Sequence, residues 1–186
     1  MADIKRKWQI ALRRYIIDGR PAVEYAPYFG IDNKGFRKWI ELSFTPEMNW
    51  GNFGVVWQLD HVVPVSFFDL EIEKDLCLCW NFINIQPSIR LNGDAVFNTS
   101  IAADYFERLY LKSGYYLAKE ISNKITVGNK KEIPHIEKQV DFLIKNKDYL
   151  QQIEGLSTLE MELINKGMGL KEASIEAENI RRLSSI

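Results

Sequence analysis

Asp60 and His61 stand side by side at the end of the apolar run Val55-Val56-Trp57-Gln58-Leu59, and Val62-Val63-Pro64 comes directly after them. A second stretch, Trp80-Asn81-Phe82-Ile83-Asn84-Ile85-Gln86-Pro87, carries two asparagines, and Ser88-Ile89-Arg90-Leu91-Asn92 adds a third. These side chains suit one reaction, the hydrolysis of a phosphodiester. That reaction needs a hard divalent cation to neutralise charge on the phosphate and a general base to take a proton from water. A carboxylate such as Asp60 binds Mg2+ through oxygen at short range. An imidazole such as His61 titrates near neutral pH and serves as the base.

The elements that carry these residues must bring them together. A strand ending at Gln58 to His61 points successive side chains to opposite faces, so Asp60 and His61 share a site only where the strand twists or stops. Pro64 marks a stop, because it cannot donate to a ladder. Asn84, on a second strand, then fixes either the imidazole or the loop behind it through its amide. Asn92, on a following helix, supplies a second oxygen to the metal.

The residues Trp57 to Pro64 together with Asn84 to Asn92 resemble the HNH endonuclease family with its ββα-metal fold, and its phage-type group in particular, where a tryptophan-rich lead-in like Phe44 to Trp57 precedes the Asp-His pair. The resemblance covers roughly residues 36 to 94. It implies that Asp60 binds the metal, His61 is the general base, Asn84 orients the base and stabilises the site, and a residue of the next helix is the second protein ligand. It also implies one divalent ion, Mg2+ first and Mn2+ second, a DNA substrate, and products with a 5'-phosphate and a 3'-hydroxyl. One departure stands out. In the family the helix ligand usually comes nine places after the middle asparagine, which is Gly93 here, between Asn92 and Asp94. A slip of one residue on a helix turns a side chain by about 100° and shifts it about 1.5 Å. Asn92 is the first choice for the ligand and Asp94 the second. The basic residue that often stands just after the ligand is replaced by Ala95, which leaves Arg90 as the nearby phosphate contact.

Composition bounds the alternatives. The 186 residues, 46% hydrophobic and 26% charged, suit a globular protein with a proper core. No apolar run is long enough for a membrane span and no signal-peptide core opens the chain, so an intracellular, cytoplasmic protein is expected, in a phage or mobile-element setting if the resemblance holds. Cys77 and Cys79 lie too close for a usual zinc pair and no second pair exists, so a four-ligand structural zinc is excluded. The run Leu76-Cys77-Leu78-Cys79-Trp80 reads as alternating and strand-like, with the cysteines as buried small hydrophobes.

The net charge of -1 hides an uneven distribution. Up to Glu41 nine basic residues face five acidic ones, whereas from Leu42 to Ser100 only Lys74 and Arg90 oppose seven acids. The centre therefore tolerates a cation, and attraction to a phosphate backbone must come mainly from the N-terminal part.

Along the chain, helices are expected at Lys5 to Tyr15, Ala22 to Phe29 and about Asn33 to Leu42. The spacing of Ala26, Gly30, Phe36 and Trp39 resembles a helix-turn-helix, with Lys34, Arg37 and Lys38 on the outer face of the second helix as DNA contacts. Pro27 inside the first helix is irregular for that motif, and the alternative is three helices packed on the nuclease core with a solvated basic face. Phe44 to Phe53 reads as a loop whose aromatics fill a small core, leading into a strand from Val55 to Asp60. After Ala102 helices are expected at Ala102 to Lys112, Tyr115 to Ile125, one from Ile136 to Ile153, Thr158 to Asn165 and Leu170 to Leu183. His135 is a surface or capping residue.

The resulting fold class is α+β and mostly helical. It comprises a basic helical region over 1–41, a ββα-metal module over 42–100 and a helical extension over 101–186 whose acidic face is a candidate surface for a protein partner or a dimer. The function expected is a metal-dependent DNA endonuclease, with one site per chain favouring nicks. The alternative is a DNA-binding protein or regulator that keeps the ββα shape and does not cut, and a weaker one is an interaction scaffold built by the helical tail.

Overall fold

The apolar stripe of the first helix decides what the N-terminal region becomes. Helix α1 (Ala2–Ile16) buries Trp8, Ala11, Leu12, Tyr15 and Ile16 and leaves Lys5, Arg6, Lys7, Arg13 and Arg14 in solvent. The computed structural model describes residues 2–89, 97–125 and 136–184. Within them the protein is mostly helical with one two-stranded antiparallel sheet, which is the α+β class expected. Also among the described residues, no helix is long and apolar enough to cross a membrane.

The chain forms two compact units, one of Met1–Arg37 with Asp148–Ile186 and one of Lys38–Lys147. In the first unit, α1 is succeeded by the short α2 (Ala26–Phe29) and by the start of α3 (Asn33–Glu41), whose residues from Lys38 on belong to the second. The expected helix from Ala22 begins late. Pro27 sits at its first turn, where a missing N–H costs nothing, and residues Ala22 to Tyr25 form a turn instead. Gly30, at φ 72°, closes α2 in the left-handed conformation that a side chain would resist. The rings of Tyr15, Phe29 and Phe36 pack on one another, and Trp8 meets Tyr25 and Tyr28 edge-on.

The end of the chain completes this unit with α9 (Thr158–Asn165) and α10 (Leu170–Leu183), after α8 (Lys147–Ile153). Ser157 and Glu160 form a reciprocal capping box at the start of α9. Ala173 and Ala177, fully buried on α10, let that helix pack closely with Leu163. Asn165 ties the unit together. Its Oδ1 accepts the Asn33 backbone N–H at 3.1 Å and its Nδ2 donates to the Tyr15 hydroxyl at 3.2 Å. That hydroxyl in turn donates to the Ile31 carbonyl at 2.9 Å. Asp32 caps α3 through the backbone N–H groups of Lys34 and Gly35, both at 2.9 Å, and accepts the Tyr149 hydroxyl at 2.5 Å. Burial pushes both phenols well above their ordinary pKa, and the Asp32 carboxylate adds to the effect on Tyr149.

The second unit is built around a hairpin. Strand β1 (Trp57–His61) pairs with β2 (Ile85–Ile89) antiparallel, Trp57 opposite Ile89 and His61 opposite Ile85. The strand expected from Val55 starts two residues later. Gly54, at φ 80°, donates to the Trp57 carbonyl at 2.7 Å and turns the chain just before it. Phe44, Trp50 and Phe53 all lie edge-on or tilted against the fully buried Trp57, so these aromatics fill a core as expected.

Between the strands, α4 (Glu73–Trp80) replaces the strand-like run expected for Leu76 to Trp80. That run is apolar at every position, so it satisfies either period. Asp75, Leu78 and Cys79 fall on one buried helical face, and Glu73 and Asp75 in the first turn complement the helix dipole. Cys79 is buried as expected, whereas Cys77 is only half-buried. After β2, α5 (Thr99–Ser113) and α6 (Tyr116–Asn123) form a packed helical pair, with α7 (Glu137–Lys145) against α5. The single helix expected from Ile136 to Ile153 is two. The chain breaks at Asn146, whose side chain donates to the Phe142 carbonyl at 2.8 Å and so competes with the helical ladder.

Candidate functional site

β1 ends at His61, and Asn84 holds the backbone just beyond that residue. The Asn84 carbonyl accepts the Val62 N–H at 2.8 Å, and its side-chain Oδ1 accepts the Val63 N–H, also at 2.8 Å. Its Nδ2 donates to the carbonyls of Val63 and Cys79 at 3.2 and 3.0 Å. The residue is fully buried. An amide in that position must have its hydrogen-bonding groups filled, since a buried unsatisfied group costs about 1–3 kcal/mol. Asn84 therefore joins three backbone segments: the exit of β1, the end of α4 and its own entry into β2. Of the two tasks the sequence leaves open for it, these bonds perform the second, fixing the loop behind His61. It lies in a 3-10 turn just before β2, not on the strand.

Asp60 and His61 leave β1 in opposite directions, as a strand requires, with Asp60 exposed and His61 half-buried. The Asp60 carboxylate bends along the chain. Its Oδ1 accepts the backbone N–H of His61 at 2.8 Å, and among the described residues its Oδ2 has no hydrogen-bond partner. The His61 ring stands edge-on to the indole of Trp80, with centroids 4.8 Å apart and planes at 78°. Trp80 is fully buried at the end of α4, so it forms a fixed wall for the imidazole. Trp80 belongs to the motif stretch, but nothing in its spacing marks it as a contact of His61.

A second feature without a sequence signal braces the connection between the strands. The carboxylate of Asp75, on α4, accepts the Asp69 N–H at 2.9 Å and pairs with the Lys124 ammonium at 2.5 Å. Burial raises the Asp75 carboxyl. The hydrogen bonds from Lys124 and Asp69, with the charges of Lys124 and Lys74, outweigh that effect and hold it below the usual carboxylate range. The long connection is thereby anchored on the helix that carries Trp80.

The structure thus brings Asp60, His61 and Asn84 to one end of the hairpin. Asn92, Asp94, Ala95, Arg90 and His135 lie outside the described residues. Among those described, no three His, Cys, Asp or Glu side chains gather to hold a metal ion. Asp60 by itself offers a hard cation one carboxylate oxygen at an exposed position, which suits Mg2+ chemistry that keeps several waters. Lys34 and Lys38 are exposed on α3. Arg37 departs from the outer face expected of it. It is half-buried, and its guanidinium donates to the Ile16 carbonyl at 2.7 Å, closing the last turn of α1.

The chain is 36% identical over 90 residues to the uncharacterized protein L426 of Acanthamoeba polyphaga mimivirus, covering 48% of this chain and 39% of that protein. It is 33% identical over 88 residues to the uncharacterized protein L246 of the same virus, covering 46% and 39%. No family model matches the chain, and no solved structure matches it. The chain spans about two-fifths of the length of the curated relatives it matches.

Proposed function

We propose that the protein is a metal-dependent DNA endonuclease of the HNH type, with its ββα-metal module built on β1 and β2. The observation that carries the reading is the fully buried Asn84, whose amide bonds to Val63 and Cys79 and sets the backbone immediately after His61. A buried asparagine with three bonds to main chain is a costly way to hold a surface turn. It is a reasonable way to hold a base within the tolerance that proton transfer demands.

In this reading His61 takes a proton from water onto an imidazole nitrogen as the water oxygen bonds to phosphorus. The bond from phosphorus to the 3'-oxygen breaks, that oxygen leaves as a 3'-hydroxyl once protonated, and the other product carries a 5'-phosphate. Trp80 holds the ring on one side and Asn84 holds the loop next to it. Asp60 would hold a divalent cation, with Asn92 or Asp94 as its second protein ligand, and that ion supplies charge neutralisation at the phosphate and leaving oxygen. Lys34, Lys38 and Arg90 contribute phosphate contacts.

Supercoiled plasmid incubated with the purified protein tests this. Nicked circles should form with Mg2+ or Mn2+ and not with EDTA, and the new ends should be ligatable without phosphatase or kinase treatment. Nicking that is unaffected by EDTA would remove the metal from the account. A second reading, DNA binding without cutting, is favoured by Gly93 at the place where the family carries its second ligand. Plasmid retardation with no nicking under either metal would select it.

A further inference from the structure

The nine-residue stretch of α1 from Arg6 to Arg14 places cations in two rows. Arg6 and Arg13 lie seven residues apart, as do Lys7 and Arg14, and seven residues return nearly to the same side of a helix about 10 Å further along. The two rows are separated by about 100° around the axis. Between them, on the same outward side, stand Ile10, 42% exposed, and the half-buried Ile17. All four cations are exposed, as are Lys5 and Arg20. Among the side chains described, Arg6 and Arg14 make no ion pair. The opposite side of α1 is committed to the core through Trp8, Ala11, Leu12, Tyr15 and Ile16.

We infer that α1 is a duplex-binding helix, which lies along a groove of double-stranded DNA with one cationic row towards each phosphate backbone and Ile10 over the groove floor. This rests on DNA being the partner, as proposed above, and it adds a surface that neither the Asp-His motif nor α3 supplies. Charge complementarity selects the occupant. A helix is about 10–12 Å across with its side chains, against a major groove about 12 Å wide. Long Arg and Lys side chains on two rows reach both walls at once. An anionic membrane would fit the charge but not the apolar pattern. A helix that lies in a bilayer surface needs a broad apolar face to bury, and the broad apolar face of α1 is already inside the protein. The Arg37 guanidinium on the Ile16 carbonyl fixes the C-terminal end of α1, so the two rows are held at a set orientation within their unit.

The test is equilibrium binding of the full chain to a fluorescent duplex in EDTA, so that no cutting intrudes, over a series of salt concentrations. Arg6→Gln with Arg14→Gln removes one cation from each row. The expected result is a drop in affinity of about tenfold or more near 0.1 M salt, and a salt slope smaller by about two. Lys138→Gln with Lys145→Gln, the same charge change on α7, should leave both quantities unchanged. Thermal denaturation of each variant separates lost contacts from lost fold. Wild-type binding that the α1 variant shares in affinity and slope would overturn the inference and leave the nuclease reading intact. Absence of wild-type binding would overturn both. Binding to phosphatidylcholine–phosphatidylserine vesicles in preference to the duplex, lost in the α1 variant, would overturn it in favour of a membrane. Binding with the predicted pattern in a protein that fails to nick would uphold the inference and reject the nuclease.

Discussion

Each of the two units is fastened by an asparagine, and the two fastenings have different consequences. Asn165 sits half-buried where α9 ends and bonds to Tyr15 and to the backbone of Asn33, so it joins helices from the two ends of the chain. Removing it should loosen one helical unit and nothing else. Asn84 is wholly enclosed and bonds only to main chain, beside the exposed Asp60 and the half-buried His61. Both tie together segments that are distant in sequence. Only one of them fixes the residue next to a group with chemistry of its own. The comparison teaches that two fastenings by the same residue type differ in what they bear on, Asn84 on the proposed site and Asn165 on the joining of helices alone.

The largest effect that would sharpen this contrast is expected from Asn84→Ala. It strips the acceptor from Val63 N–H and the donor from two carbonyls inside a closed core. The cost should be about 2–4 kcal/mol of stability, read as a lower denaturant midpoint, with nicking lost alongside it. Asn165→Ala should cost about 1–2 kcal/mol, because its site is partly open to water and solvent can replace some of the bonds. Nicking by Asn165→Ala at a temperature where it is fully folded should match wild type. Equal loss of nicking in both variants, each folded, would break the distinction between the two asparagines.

A smaller effect tests the brace between the strands. The Asp75 carboxyl is held below the ordinary range, so it stabilises the fold above about pH 4 and the benefit disappears as pH falls through its lowered folded value. Asp75→Asn should therefore lower stability at neutral pH by about 1–2 kcal/mol, less than a fully enclosed pair would, because Lys124 is partly exposed. The variant should also lose less stability than wild type on acidification below about pH 4. Denaturant titrations at several pH values measure both. The smallest effect is expected from Ser157→Ala, which removes the cap of α9 and should cost about 1 kcal/mol with no change in nicking.

Several of these features are legible in the sequence and others are not, for physical reasons. α3, α9 and α10 arise from apolar spacing bounded by Gly30, Gly155 and Gly167, and they fall within a residue of their expected ends. The end of β1 at His61 comes from Asp-His meeting Val-Val-Pro. The run from Leu76 to Trp80 misleads because every position is apolar, so period cannot separate strand from helix. Tertiary contacts of Asp75 decide it. Pro27 signals an irregular α2, and its effect is to shorten the helix to its last turn. Asp60, His61 and Asn84 are visible as residue types in order. The task of Asn84 is not, since one spacing serves a bond to the imidazole or to the loop. The edge of Trp80 on the His61 imidazole and the reach of Arg37 to Ile16 are long-range contacts that carry no local pattern.

The central claim is that the imidazole of residue 61 takes the proton in a phosphodiester hydrolysis. The direct measurement is the rate of plasmid nicking by His61→Ala beside wild type, at saturating Mg2+ and with thermal denaturation showing both folded. The half-buried ring touches Trp80 and its loss should disturb the fold little, whereas loss of a general base should slow nicking by about 10²–10⁴-fold. A folded His61→Ala that nicks at the wild-type rate would contradict the account.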